Sequence, residues 1–157
     1  MKIKGLVDED YVNYKKASMF IIFPYCSFKC EKENCEVHCQ NSKLANSKII
    51  DYPLERLLER YLENNMTSSI VCGGLEPMDS FEDVYDLLKA LREYREDDFV
   101  IYTGYYKEEI ENKIDRLKEF KNVIVKFGRF IPNQKSHFDD VLEVELASDN
   151  QYAEIIS

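Results

Sequence analysis

The sequence has no long hydrophobic run. None of its apolar stretches approaches the roughly 20 residues that a helix needs to cross a bilayer. The N-terminus turns acidic at Asp8 without first forming the apolar core of a signal peptide. These absences predict a protein that is neither exported nor embedded in a membrane. We expect it in the cytoplasm, where thiols stay reduced.

The chain also has fewer basic than acidic side chains. The chain has 21 Lys and Arg residues against 30 Asp and Glu residues, which gives a formal net charge of −9. A surface that binds nucleic acid needs an excess of basic side chains to neutralise phosphates. The charge balance therefore disfavours a nucleic-acid partner and leaves a protein partner open.

Linkers, low-complexity tracts and internal repeats are also missing. A chain of 157 residues fits one domain, and its 45% content of hydrophobic residues is enough for a core. We therefore predict that residues 1–157 form a single domain.

Cysteine, by contrast, is concentrated in one place. Four of the five cysteines, Cys26, Cys30, Cys35 and Cys39, are separated by three, four and three residues. In a reducing compartment this crowding favours metal binding over disulfides. Structural zinc commonly takes two Cys-x2-Cys pairs that lie far apart, and iron–sulfur clusters are also held by thiolates. The spacing departs from the common zinc pattern, but both a zinc site and an iron–sulfur cluster stay open.

The cysteines follow an apolar run, residues 19–23, which is typical of a buried strand and ends at Pro24. Proline cannot donate to a sheet ladder, so we expect the chain to leave the sheet there. Three further short apolar runs, at residues 69–72, 99–103 and 123–127, predict three more strands.

Helices are predicted between these strands. Pro53 opens the first, the hydroxyl of Ser80 is expected to cap the second, and residues 108–120 form the third. Alternating strands and helices build a parallel sheet, so the sequence predicts an α/β fold. The carboxyl ends of parallel strands meet at one edge, where ligands bind in open α/β sheets. Segments at that edge include the cysteine loop, Gly73 and Gly74, and residues 102–105.

Several motifs at this edge resemble those of a known superfamily. They are Cys-x3-Cys after a strand, the later Cys39-Gln40-Asn41, and the Gly-Gly-x-Glu-Pro of residues 73–77. In this combination the chain resembles the radical S-adenosylmethionine (radical SAM) enzymes. The Ile-Tyr-Thr-Gly-Tyr of residues 101–105 and the Val-Lys-Phe-Gly-Arg-Phe of residues 125–130 resemble the activating proteins of anaerobic ribonucleoside-triphosphate reductases. The resemblance covers about residues 19–131.

The resemblance implies a partial (β/α) barrel-like open parallel sheet with a cluster-binding loop after the first core strand. It also implies that three cysteines hold a 4Fe–4S cluster. The superfamily spacing is Cys-x3-Cys-x2-Cys, from which this loop departs. Because Gln40 and Asn41 match the residues after the third ligand, we assign Cys26, Cys30 and Cys39, with Cys35 as the alternative third ligand.

The resemblance further implies that the chain binds S-adenosylmethionine. The implied cofactor-binding residues are Gly73, Gly74, Glu76, Tyr102, Thr103 and Gly104. The two glycines would let the backbone approach the methionine end, and Glu76 would accept from its ammonium group. Leu75 is an insertion into the superfamily's Gly-Gly-Glu-Pro. No catalytic side chain beyond the cluster ligands is implied.

The implied reaction begins with reductive cleavage of S-adenosylmethionine at the cluster. The resulting 5′-deoxyadenosyl radical would generate a glycyl radical on the large subunit of an anaerobic (class III) ribonucleotide reductase. The expected electron donor is a flavodoxin or a ferredoxin. Two alternatives stay open: another radical SAM activity, on a different glycyl radical enzyme or on a small molecule, and a zinc-stabilised binding module without catalysis.

Overall fold

A six-stranded sheet with four parallel central strands runs through the protein. The computed structural model describes residues 1–29 and 41–157. The strands within these residues are β1 (Lys2–Ile3), β2 (Gly5–Asp10), β3 (Ser18–Phe23), β4 (Ile50–Asp51), β5 (Ser69–Gly74), β6 (Asp98–Tyr102), β7 (Val123–Phe127), β8 (His137–Asp139), β9 (Val144–Leu146) and β10 (Tyr152–Ile155). The helices with described bounds are α1 (Ser42–Ala45), α2 (Leu54–Glu63), α3 (Phe81–Arg92) and α4 (Glu111–Leu117), with 3₁₀ turns at Pro77–Ser80 and Lys107–Glu109.

The order of the strands in the sheet is β10-β7-β6-β5-β3-β2. The parallel strands β3, β5, β6 and β7 lie side by side in chain order. The antiparallel strands β2 and β10 pair with the outer sides of β3 and β7. All four parallel strands therefore present their carboxyl ends at one edge of the sheet.

Side chains alternate between the two faces of each central strand. In β7, Val123, Val125 and Phe127 belong to the core cluster that the helices cover, whereas Ile124 packs on the opposite face. Lys126, two positions after Ile124, shares that opposite face because the side-chain period of a strand is two. The helix face forms the larger core, to which α2, α3 and α4 contribute Leu57, Leu58, Tyr61, Val84, Leu87, Leu88, Leu91, Ile114 and Leu117.

The second face of the sheet is covered by two segments that come from opposite ends of the chain. Tyr14 lies before β3, while Leu142 and Leu146 come from the β8–β9 hairpin. They pack on Val71 and Val100, which point away from the helices. The cover reaches only part of this face and leaves a cavity at the carboxyl edge of the sheet.

The four strands that the sequence predicts are confirmed as β3, β5, β6 and β7. The structure is mixed α/β with a mostly parallel central sheet, because β2 and β10 run antiparallel at its edges. The barrel-like curvature implied by the resemblance stays a prediction. Among the described residues, no helix combines the length and the apolar character that a membrane span requires.

Two local predictions are wrong. Ser80 stands at the N-terminus of α3 but makes no capping hydrogen bond, because the 3₁₀ turn Pro77–Ser80 leads directly into that helix. The capping acceptor is instead Glu76, which takes the Met78 N–H at the start of the turn. The helix predicted at residues 108–120 is divided, because Ile110 leaves helical geometry between the second 3₁₀ turn and α4.

Candidate functional site

The cavity at the carboxyl edge has a volume of about 320 Å³. It lies where β3, β5, β6 and β7 end and where the chain segments before β3 and before β10 meet them. Its lining comprises Asn13, Phe20, Cys26, Asn41, Leu44, Gly74, Leu75, Glu76, Tyr102, Thr103, Gly104, Lys126, Gly128, Phe130 and Gln151. Cys26 and five of the six predicted cofactor-binding residues therefore line the same cavity. Parallel strands bring them together because they present their carboxyl ends at one edge of the sheet.

Cys26 is the predicted cluster ligand that lies within the described residues. It is half-buried at the cavity, two residues after Pro24 ends the strand. The backbone N–H of Phe28 donates to its Sγ at 3.2 Å, and Phe28 has a left-handed φ of 53°. The other candidates, Cys30, Cys35 and Cys39, lie outside the described residues.

The surroundings of the Cys26 sulfur resemble those of a thiolate that holds an iron–sulfur cluster. Thiolate sulfurs that bind clusters commonly accept hydrogen bonds, which help to set the reduction potential. The N–H that Phe28 directs at Sγ and the position beside a cavity match that environment. Within residues 1–29 and 41–157, no group of three or more His, Cys, Asp or Glu side chains is placed to hold a metal. A cluster held by Cys26 would therefore need further thiolates, for which residues 30–40 offer Cys30, Cys35 and Cys39.

Glu76 is buried and accepts three hydrogen bonds from the protein itself. Its Oε1 takes the Thr103 hydroxyl at 2.7 Å and the Met78 N–H at 3.0 Å. Its Oε2 takes the Gly104 N–H at 2.8 Å. Burial raises the pKa of Glu76 to about 7, while the three donors counteract that rise. The carboxyl group ties the loop after β5 to the end of β6.

Gly73 and Gly74 are both required by the packing of β5 against β3. A Cβ on Gly73 would lie 3.0 Å from the ring of Phe20, and a Cβ on Gly74 would lie 2.5 Å from Cγ2 of Ile22. Gly74 also has a φ of 83°, which side chains disfavour. Gly74 lines the cavity, whereas Gly73 is held against Phe20 beneath it. The fold therefore accounts for both glycines without a ligand.

Tyr102, Thr103 and Gly104 all line the cavity, but each makes a different contact. Tyr102 is half-buried on the second face, where its hydroxyl donates to the Asn13 carbonyl at 2.6 Å. Thr103 is buried and reaches the cavity beside Glu76. Gly104 presents its N–H to Glu76 rather than to the open space.

Lys126 is a site residue that the sequence reasoning missed. Its ammonium group is buried, donates to the Gly128 carbonyl at 3.0 Å and lies 6.0 Å from the centre of the Tyr102 ring. A signal for it exists in the sequence, since a lysine interrupts the otherwise apolar strand of residues 123–127. Asn13 and Gln151 were also missed, and their polar positions in loops carry no comparable signal.

Beyond Lys126, a second buried cation lies near the site. Arg129 donates through Nη2 to Oε1 of Glu109 at 2.5 Å, and its guanidinium group lies 4.8 Å from the ring centre of Tyr106. The arginine holds the pKa of Glu109 down at about 2. Lys29, in the cysteine loop, reaches the same carboxylate at 3.6 Å. Glu109 therefore joins the cysteine loop to the end of β7.

Residues 15–152 match the profile of a protein family described as "4Fe-4S single cluster domain". The match covers most of the chain and includes the cysteine loop, the four parallel strands and the β8–β9 hairpin. No curated protein matches the sequence significantly.

Proposed function

Because the chain belongs to the 4Fe–4S single cluster domain family, and is thus an iron–sulfur protein, we propose that it is a radical SAM activase. Its proposed substrate is a glycine of an anaerobic (class III) ribonucleotide reductase, which would lose its α-hydrogen. One observation carries the proposal: Cys26 shares one cavity with five of the residues that the sequence assigns to S-adenosylmethionine.

The charges in the cavity support a zwitterionic ligand. Glu76 and Lys126 contribute a carboxyl and an ammonium group to the same lining. The methionine end of S-adenosylmethionine carries the complementary pair, an ammonium and a carboxylate. Donors within the described residues occupy three of the roughly four lone-pair positions of the Glu76 carboxylate, which leaves one on Oε2 for the ligand ammonium.

The remaining lining supports a ligand with a flat apolar part. Phe20, Tyr102 and Phe130 supply aromatic surface, and Asn13 adds a polar amide side chain to the lining. A mainly apolar pocket with a few convergent polar groups is the usual form of a small-molecule site, and about 320 Å³ is within the normal size range.

When bound, a 4Fe–4S cluster would supply the one electron that reductive cleavage of the carbon–sulfur bond of S-adenosylmethionine requires, and a flavodoxin or a ferredoxin would replace that electron. The chain's own residues would bind and orient the substrate for that step. Cys26 would hold the cluster beside the cavity, Glu76 and Lys126 would fix the methionine end, and the aromatic lining would exclude water. Orientation matters because a radical must meet its target glycine before it meets solvent.

The first test is of the metal centre. Protein purified without oxygen should contain iron and sulfide in equal amounts and show iron–sulfur absorbance. Cys26→Ala, Cys30→Ala and Cys39→Ala should lose that absorbance, whereas Cys35→Ala should keep it. Cys72→Ala is the matched control, because the Cys72 thiol is buried in the helix-side core. Bound zinc without iron or sulfide would overturn the proposal in favour of a zinc-stabilised module.

The second test is of the cofactor. The reduced protein should convert S-adenosylmethionine to 5′-deoxyadenosine, and Lys126→Met should weaken binding by roughly tenfold or more, the effect of losing one charged hydrogen bond. Lys89→Met, at an exposed position of α3, should bind normally. Equal binding by Lys126→Met and the wild type would remove Lys126 from the site.

The third test is of the partner. The cognate reductase, this protein, reductant and S-adenosylmethionine, mixed without oxygen, should give a glycyl radical signal by electron paramagnetic resonance. Replacing the reductase glycine by alanine should erase the signal. Accumulation of 5′-deoxyadenosine with a small molecule, and no glycyl radical with the reductase, would instead assign the chain to another radical SAM activity.

A further inference from the structure

The segment that carries Cys26 is held by a carboxylate from a different part of the chain. Oδ2 of Asp79 accepts the Ser27 N–H at 2.7 Å, and Oδ1 of the same group accepts the Tyr105 hydroxyl at 2.6 Å. Asp79 lies in the 3₁₀ turn after β5, and Tyr105 follows β6. One carboxylate therefore joins the cysteine loop to two other loops of the carboxyl edge.

Further contacts fix the same segment from both sides. The Glu76 N–H donates to the Tyr25 carbonyl at 2.8 Å, one residue before Cys26. The Tyr105 hydroxyl lies 3.4 Å from Oγ of Ser27, and the Lys29 ammonium lies 4.5 Å from the centre of the Tyr105 ring. Burial and the neighbouring Asp79 carboxylate raise the pKa of Tyr105 to about 12, so its hydroxyl stays a donor.

The segment that these contacts hold includes a strained backbone conformation at Phe28. Phe28 is not a glycine, yet its φ of 53° lies in the left-handed region that most side chains avoid. In this conformation its N–H reaches Sγ of Cys26 at 3.2 Å. Such a conformation persists only where its surroundings over-determine it. Asp79, through the adjacent Ser27 N–H, is the nearest fixed point.

A hydrogen bond to a cluster thiolate affects the electron-transfer properties of the cluster. Reduction adds negative charge, and an N–H directed at sulfur stabilises that charge, so the bond raises the reduction potential. Loss of the bond should lower the potential and make the cluster harder to reduce.

We propose that Asp79 and Tyr105 are positioning residues that hold the Cys26 segment so that the Phe28 N–H bonds the Cys26 sulfur and thereby raises the reduction potential of the cluster. The redox part of this inference rests on the proposed function, because it requires Cys26 to be a cluster ligand. The part that concerns the position of the Cys26 segment does not, because the hydrogen bonds that hold the segment are made by the chain alone.

The experiment compares Asp79→Asn and Tyr105→Phe with two matched controls. Asp86→Asn and Tyr94→Phe make the same chemical changes at exposed positions. The full-length chain is measured by hydrogen–deuterium exchange of the peptide that spans residues 24–29, and the cluster-loaded chain by a redox titration followed by electron paramagnetic resonance.

Both test variants should exchange this peptide about fivefold faster than the wild type, the effect of losing one hydrogen bond. Both should also shift the midpoint potential to more negative values while keeping their iron content, whereas the controls should match the wild type. Tyr105→Phe removes a single oxygen atom, so it keeps the test valid if Asp79→Asn does not fold.

Wild-type exchange and wild-type potential in Tyr105→Phe would overturn the inference. Faster exchange without a change in potential would overturn its redox part and leave a structural contact. A wild-type chain that takes up no cluster would instead refute the proposed function, and the exchange measurement would still decide whether Asp79 and Tyr105 hold the segment.

Discussion

Glu76 shows how one side chain serves the fold and the proposed chemistry together. A buried carboxylate is costly unless it is hydrogen-bonded, and here donors from Met78, Thr103 and Gly104 compensate it. The same contacts set the distance between the loops after β5 and β6. A ligand that touches Glu76 therefore meets a group already fixed in place, which favours specific binding.

The contact between Glu76 and Thr103 should be strongly coupled. We expect a double-mutant cycle of Glu76→Ala and Thr103→Val to give a coupling free energy of about 1.5–3 kcal/mol, because the hydrogen bond is buried and is made to a charged group. Urea unfolding of the four proteins measures it. A coupling near zero would mean that the two side chains do not interact in solution.

The pair of Arg129 and Glu109 should make stability depend on pH. The arginine lowers the pKa of Glu109 from 4.5 to about 2, so the pair stabilises the fold above pH 4.5 and loses that effect as the pH falls toward 2. At neutral pH, Glu109→Gln should reduce the free energy of unfolding by about 2 kcal/mol, less than for a fully buried pair because Glu109 is partly exposed.

The measurement is the difference in unfolding free energy between the wild type and Glu109→Gln from pH 6 to about pH 2. The difference should shrink steadily as Glu109 takes up a proton. Glu108→Gln, next to it and exposed, should show no such trend. A difference that stays constant down to low pH would contradict the lowered pKa.

At the scale of elements, the carboxyl end of β5 pairs with β3 and also begins the loop that lines the cavity. β5 pairs in parallel with β3 through Gly73 and Gly74, opposite Ile22 and Phe23. A Cβ on either glycine would crowd this pairing, against the ring of Phe20 at Gly73 and against Ile22 at Gly74. The loop that carries Glu76 therefore begins from a rigid strand end rather than from a flexible turn.

Gly74→Ala should be much more destabilising than Gly73→Ala. The first change forces a left-handed alanine and places its Cβ 2.5 Å from Cγ2 and 3.0 Å from Cα of Ile22. We expect a loss of about 3 kcal/mol or more. The second places its Cβ 3.0 Å from the end of the Phe20 ring and 3.7 Å from Cβ of Tyr102, so a small shift of the Phe20 side chain relieves it, and it should cost about 1 kcal/mol. Thermal unfolding of both variants would test the order, and equal losses would contradict it.

At the scale of the whole molecule, the two faces of the sheet have different covers. Helices α2, α3 and α4 cover one face with a large core, whereas Tyr14 and the β8–β9 hairpin cover the other with a small one. Asn13, the residue before Tyr14, lines the cavity, so the small cover borders the site. The stability of this second core and the shape of the cavity are therefore linked.

Leu142→Ala should test that link. Leu142 is fully buried against the second face, and its removal should lower the free energy of unfolding by about 2–4 kcal/mol. Binding of S-adenosylmethionine, the proposed ligand, should weaken with it, because the small cover borders the cavity. Val12→Ala, at a position 75% exposed, should change stability by less than about 0.5 kcal/mol. An unchanged stability of Leu142→Ala would show that the hairpin does not contribute to the core.

The sequence by itself determined the framework. Short apolar runs and helical periodicity are local signals, and they were sufficient for the four parallel strands and for the edge at which Cys26, Glu76 and residues 102–104 meet. Once parallel order is known, geometry brings strand ends together, so convergence needed no knowledge of side-chain contacts. The crowded cysteines likewise indicated a metal centre, in agreement with the family of 4Fe–4S single cluster domains.

The tertiary structure decided which atoms share the site. Tyr102 donates to Asn13 across 89 positions, and Asp79 holds Ser27 across 52, which no local pattern encodes. Lys126 becomes a cavity residue only because β7 turns it to the face that the hairpin leaves uncovered. Such contacts depend on how separate elements are packed, and their free energies arise between residues that are distant in the chain. The framework follows from local periodicity, whereas the chemistry of the cavity follows from packing.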